Sequence, residues 1–171
     1  MFTRIDKDEF LEKYIGTMAP SICKLKRTIQ DMKKTFELVD TSGSRTYLSG
    51  NQMFYRNADI VLLVYDITDK ESLRGAISFY DSLESYLKSK EHTVFVIANK
   101  IDLIDQQEDG EQEGRLLAKL IDAFFISTSC STGKGIKEIF DSIVIDKNKI
   151  DSSLIRLDDL ESRQKKTKCC K

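Results

Sequence analysis

One proline (Pro20), no tryptophan and one histidine (His92) are spread through 171 residues. With a single proline there is no polyproline linker, and Pro20 serves to confine its own loop. Four cysteines, two of them adjacent at Cys169-Cys170, form neither a disulfide framework nor a spaced zinc set, and His92 alone cannot complete one. The longest apolar run, from Ile60 to Tyr65, is far too short to span a bilayer. Met1-Phe2-Thr3-Arg4 reads as no secretory signal, so synthesis in the cytosol is expected. An excess of either charge is missing too: 27 basic residues face 28 acidic ones, which excludes a global field for nucleic acid. What remains, 40% apolar and 9% aromatic residues, is enough for a folded interior. The length suits one domain, placed at 1–147, followed by a tail at 148–171.

The apolar pattern alternates between two periods. Residues 21–29 and 35–39, joined by a polar stretch at 30–34, read as an antiparallel hairpin. The runs at 59–65 and 93–98 are continuously apolar, as in parallel strands covered by helices on both faces. Between them Leu73, Ile77, Tyr80, Leu83 and Leu87 recur at helical spacing, predicting a crossover helix over 72–89. After an acidic loop beginning near Asp105, a helix over 112–122, a short strand over 123–127 and a final helix over 134–147 complete the pattern. This alternation reads as α/β, a parallel sheet covered by helices together with one antiparallel hairpin.

Chemistry collects where such sheets bind ligands, at the carboxyl ends of strands. Asn99-Lys100-Ile101-Asp102 directly follows the run ending at Ala98. A carboxylate there can accept two parallel hydrogen bonds from the ring N–H and exocyclic amine of guanine, a pair adenine does not offer. Asp40-Thr41-Ser42-Gly43 ends the hairpin. Its aspartate can hold a magnesium-bound water, and its glycine lets a backbone N–H approach a terminal phosphate. Thr128-Ser129-Cys130-Ser131 follows the last strand and can present N–H groups to a base carbonyl, or equally cap the next helix.

In that order and spacing these segments resemble a Ras-superfamily small GTPase of Rab-like texture. Residues 10–17 resemble the first switch, which puts Thr17 at the magnesium-binding, phosphate-sensing threonine. Asp40 to Gly43 resemble DTAG, Val64-Tyr65-Asp66-Ile67-Thr68-Asp69 a Rab-like strand and helix start, Asn99 to Asp102 the NKxD element, and Thr128-Ser129-Cys130 the TSA element. The resemblance implies GTP and GDP bound by Thr17, Gly43, Asn99, Lys100, Asp102, Ser129, Cys130 and Ser131. It further implies Mg2+ at Thr17 and Asp40, effector and regulator proteins meeting the two switches, and an α/β fold with a three-layer, doubly wound and mostly parallel sheet that has one antiparallel edge hairpin.

The departures are specific. No GxxxxGK[ST] phosphate loop occurs, and Met1-Phe2-Thr3-Arg4-Ile5 corresponds to the family's first helix. A central strand and the phosphate loop are therefore expected to precede residue 1 in a longer natural chain. The alternatives are that the flanking strands close the gap or that a partner supplies a strand. Ser44 stands where the family has the glutamine that orients water, so no residue is assigned as catalytic and hydrolysis is expected to be weak or absent. Ser131 replaces the lysine of SAK. At the other end, Lys165, Lys166 and Lys168 precede Cys169-Cys170, which resembles a double geranylgeranylation signal. The implied partners are the prenylation machinery and the cytosolic face of a membrane.

Overall fold

The computed structural model describes residues 1–13, 16–29, 31–43, 52–87, 92–104 and 108–148. A short helix α1 (Phe2–Lys7) leads to strands β1 (Ser21–Ile29) and β2 (Met32–Asp40). Helix α2 (Gln52–Asn57), β3 (Ile60–Asp66) and α3 (Lys70–Leu87) follow. Then come β4 (Thr93–Asn99), α4 (Glu108–Leu120), β5 (Phe124–Ser127) and α5 (Ile136–Asn148).

The apolar runs become the parallel sheet β3-β4-β5, with Leu63 opposite Val96, Asp66 opposite Asn99 and Ala98 opposite Ser127. Its middle strand is sealed: Phe95, Val96, Ile97 and Ala98 are wholly buried. Strand alternation sends Phe95 and Ile97 to one face, against Ile139 and Ile143 of α5, and Val96 and Ala98 to the other, against Leu73 and Ala76 of α3 and Leu117 and Ala118 of α4. Helix α2 lays Tyr55 against Leu83 and Leu87 of α3.

Several boundaries move from their expected places. Strand β2 begins at Met32 rather than Thr35, because Lys33 and Lys34 pair with Thr28 and Arg27 through their backbones. Lysines suit an edge, where the stem lies on the strand and the ammonium stays in water. Asp31, at φ 62, makes the tight turn that this pairing needs. Helix α3 starts at Lys70 because the Asp69 carboxylate accepts the Glu71 N–H at 2.9 Å as an N-cap. Helix α4 starts at Glu108, inside the stretch read as loop, since carboxylates are favourable at a helix N-terminus. Six-residue α2 carried no periodicity long enough to be read.

The sheet itself is divided. Among the described residues β2 pairs only with β1, and β3 only with β4. The hairpin is carried by helices instead. Phe36 meets Phe140 of α5 edge to face at 5.3 Å between centroids, and Arg27 Nη2 donates to Ile5 O of α1 at 2.7 Å. Between β2 and β3 lies a cavity of about 1010 Å³, lined by Phe36, Leu38 and Asp40 on one side and Ile60 and Leu62 on the other. The flanking strands have not repacked to close it.

Packing is close where the Tyr65 side chain of β3 reaches α4. Tyr65 Oη–H donates to Gly110 O at 2.7 Å, and burial and the nearby Glu111 carboxylate push the phenol far above its ordinary range. A Cβ at Gly114 would collide with that phenol and with the Phe125 ring. Gly114→Ala is expected to lower stability by about 1–3 kcal/mol, read as a lower urea midpoint at unchanged slope.

Candidate nucleotide site

Strand β4 ends on Asn99, and its amide oxygen becomes a bracket. Asn99 Oδ1 accepts the Cys130 N–H at 3.2 Å and the Thr128 Oγ1–H at 3.3 Å, tying the tip of β4 to the loop after β5. The backbone repeats the tie, with Thr128 N–H donating to Ala98 O at 2.7 Å and Ile101 N–H to Thr128 O at 3.2 Å. Lys100 then turns through φ 71, which throws residues 101–103 into a single 3₁₀ turn. That turn delivers Asp102 to Ser129, whose hydroxyl donates to Asp102 Oδ1 at 2.5 Å and accepts the Thr132 N–H at 3.0 Å. Thr128, Ser129 and Cys130 are all buried. The loop closes at Gly135, at φ 78, where a Cβ would run into Ser127 O.

Three of the expected base-contacting groups thus adjoin: Asn99, Asp102 and the segment 129–131. Lys100 reaches sideways to Asp66 Oδ2 at 2.5 Å. Burial works to raise the Asp66 carboxyl, but hydrogen bonds from Lys100 and from Thr68 outweigh it and hold the group below its ordinary value. Asp66 was not among the expected site residues; its signal was the polar break that follows the β3 run. Behind the loop stands Arg4, which donates through Nε to Cys130 O at 2.7 Å and through Nη2 to Ser131 O at 2.8 Å. Nothing in the sequence pointed to Arg4, whose partner lies 126 residues away.

The phosphate and metal candidates form a second group. Thr17 Oγ1–H donates to Asp40 Oδ2 at 2.8 Å, so the two residues implied for Mg2+ do meet. One hydroxyl and one carboxylate are hard oxygen donors, and they fit an ion that takes few protein ligands and completes its shell with phosphate and water. Among the described residues no three His, Cys, Asp or Glu side chains cluster as a metal set. Asp40, Thr41, Ser42 and Gly43 line the cavity beside β2, whereas Asn99, Asp102 and Ser129 do not. Gly43 is open, with nothing within 4 Å of a notional Cβ. Ser44, Cys169 and Cys170 lie outside the described residues.

The Ras family model matches residues 1–149. This chain belongs to the Ras family. It is similar to the GTP-binding protein YPT52 of Saccharomyces cerevisiae, at 30% identity over 82% of this chain and 72% of that protein. It is likewise similar to the Ras-related protein Rab5 of Nicotiana tabacum, at 33% over 80% and 68%, and to RABF2a of Arabidopsis thaliana, at 30% over the same shares. It is a Rab-like small GTPase of the Ras superfamily. The parallel three-stranded sheet and antiparallel hairpin are consistent with that family's fold.

Two outcomes are expected for this Ras-family site. Asn99→Ala strips the acceptor from a buried N–H, and should destabilise the protein by about 1–3 kcal/mol while the Cys130 amide exchanges faster with deuterium. Asp66 has a depressed folded-state value, so its contribution is present above the unfolded value of 3.8 and is lost as pH falls through the folded one. Urea midpoints at pH 6 and pH 3 should therefore converge in Asp66→Asn relative to wild type.

Proposed function

We propose that this Ras-family chain is a membrane-attached guanine-nucleotide switch of vesicle traffic, with weakened or absent GTP hydrolysis. The observation that carries the reading is the meeting of Asn99, Asp102 and Ser129 at the adjoining carboxyl ends of β4 and β5. A carboxylate steadied through one oxygen by a serine hydroxyl is poised to accept the paired N–H groups of guanine. Cys130 and Ser131 flank the base, and Lys100 supplies the cation on that rim. At the other end Gly43 lets a backbone N–H approach a phosphate. Thr17 and Asp40 would hold Mg2+, which when bound offsets the phosphate charge.

The vesicle-traffic role is inferred from the Rab-named relatives. Weak hydrolysis follows from Ser44, whose side chain is too short to place an attacking water as glutamine does. Attachment follows from Cys169 and Cys170: two lipid chains anchor stably where one does not, and the neighbouring lysines add about 1 kcal/mol each at an anionic surface. The body 1–147 would then sit peripherally on the cytosolic face of an internal or plasma membrane, tethered by 148–171. Effectors and regulators would meet it through residues 10–17 and 40–44. Balanced charge argues against nucleic acid as a partner.

One observation favours a second reading, a prenylated interaction module without a nucleotide cycle. Ser44 and Ser131 stand where the family has the water-orienting glutamine and the lysine of SAK, so hydrolysis and base contact each lose a family side chain. Titration with a fluorescent GDP, with and without magnesium, separates the two. Saturable binding that tightens with magnesium is expected, and Asp102→Ala should weaken it by about a hundredfold and erase the preference for guanine over adenine. Failure to bind at millimolar nucleotide would leave the interaction module.

A further inference from the structure

The guanidinium of Arg4 is committed to three places at once. Nε donates to Cys130 O at 2.7 Å, Nη2 to Ser131 O at 2.8 Å, and Nη1 to the backbone O and the carboxylate Oδ1 of Asp8 at 2.8 and 3.0 Å. Only 15% of the side chain is exposed, although it belongs to a helix of six residues. Its partners are the C-terminal end of α1, where Asp8 turns through φ 57, and the loop after β5. A planar fork with fixed donor directions is suited to holding two successive carbonyl oxygens in one orientation, which a lysine ammonium cannot do.

The orientation matters because a peptide unit is planar and trans, so its C=O and N–H point in opposite directions. Arg4 draws the Cys130 carbonyl to the outer side of the loop and so turns the Ser131 N–H to the other side. That other side faces Asn99 and Asp102, since the Cys130 N–H reaches Asn99 Oδ1 and Ser129 Oγ reaches Asp102. The neighbouring donors are already engaged: Ser129 N–H by Lys134 O, Cys130 N–H by Asn99 and Thr132 N–H by Ser129 Oγ.

We propose that Arg4 is a positioning residue for base recognition, which holds the Cys130 and Ser131 carbonyls outward so that the Ser131 N–H is aimed at the carbonyl oxygen of a guanine read by Asp102. The inference rests on the guanine-nucleotide reading above and adds to it the residue that orients the loop. Asp102 reads the two N–H groups of the base. Arg4, through Ser131, governs the reading of its oxygen.

The test compares three nucleotides on the full 171-residue chain: GDP, 6-thio-GDP, which replaces the base oxygen by weakly accepting sulfur, and IDP, which keeps the oxygen and lacks the amine. Wild type is expected to favour GDP over 6-thio-GDP by about tenfold. In Arg4→Ala the GDP affinity should fall by about tenfold and the 6-thio-GDP affinity little, so that their ratio approaches one, while the GDP to IDP ratio stays as in wild type. Arg4→Lys keeps the charge without the fork and carries the same test if the alanine variant does not fold; its GDP to 6-thio-GDP ratio should also fall. A purely structural role would weaken all three nucleotides together, and an unchanged GDP to 6-thio-GDP ratio in the folded variants overturns the proposal alone. Absence of any GDP binding by wild type overturns it together with the guanine-nucleotide reading.

Discussion

Strand β4 is paired along both edges and buried on both faces, and the geometry of the base-side site is inherited from it. Its central residues are sealed from solvent, so the backbone there has no alternative hydrogen-bond partner and no freedom to slide. The last rung, Asp66 opposite Asn99, sets the height of the site. From that rung Ile67 N–H donates back to Asn99 O at 3.0 Å, and Thr128 N–H donates to Ala98 O at 2.7 Å. Three strand ends are thereby knitted before any side chain acts. Asn99, Lys100 and Asp102 then extend from a rigid support, the condition under which side-chain positions become reproducible.

The hairpin obeys a different constraint. Without a ladder to β3 it depends on side chains: Leu25 and Ile29 with Ile5 and Phe140, Phe36 against the same Phe140 ring, and Arg27 over that ring at 5.7 Å. Dispersion and burial of this kind are strong in sum and weak in direction, whereas a strand ladder sets register to a single residue. The Thr17–Asp40 pair therefore sits on the part of the molecule held by helices, and the Asn99–Asp102 group on the part held by sheet. The cavity between β2 and β3 separates the two kinds of support.

Much of this was legible beforehand. The runs ending at Tyr65 and Ala98 read as parallel strands, and both are, but only β4 is covered on both faces, since Val64 of β3 is exposed. Leu73, Ile77, Tyr80, Leu83 and Leu87 read as one face of a helix. Both signals are long and repeat at one period. The start of β2 was not legible, because Lys33 and Lys34 pair through the backbone and leave no apolar mark. Helix α2 was too short to repeat. The split into two sheets left no mark in composition, since an apolar strand reads the same whether or not a neighbour lies at its edge; it was expected only from the family resemblance, which puts a central strand between β2 and β3.

The order of elements, the strand-end placement of Asn99 to Asp102 and the types of donor available were properties of the sequence by itself, because periodicity and chain direction are local and survive without coordinates. Which groups touch was decided only by tertiary structure. Asn99 holds the Cys130 N–H, Ser129 meets Asp102, Thr17 meets Asp40, and Arg4 spans 126 residues to the Cys130 carbonyl. Such contacts depend on how strands and helices stack, and a hydrogen bond between distant residues leaves no period in the chain by which to find it.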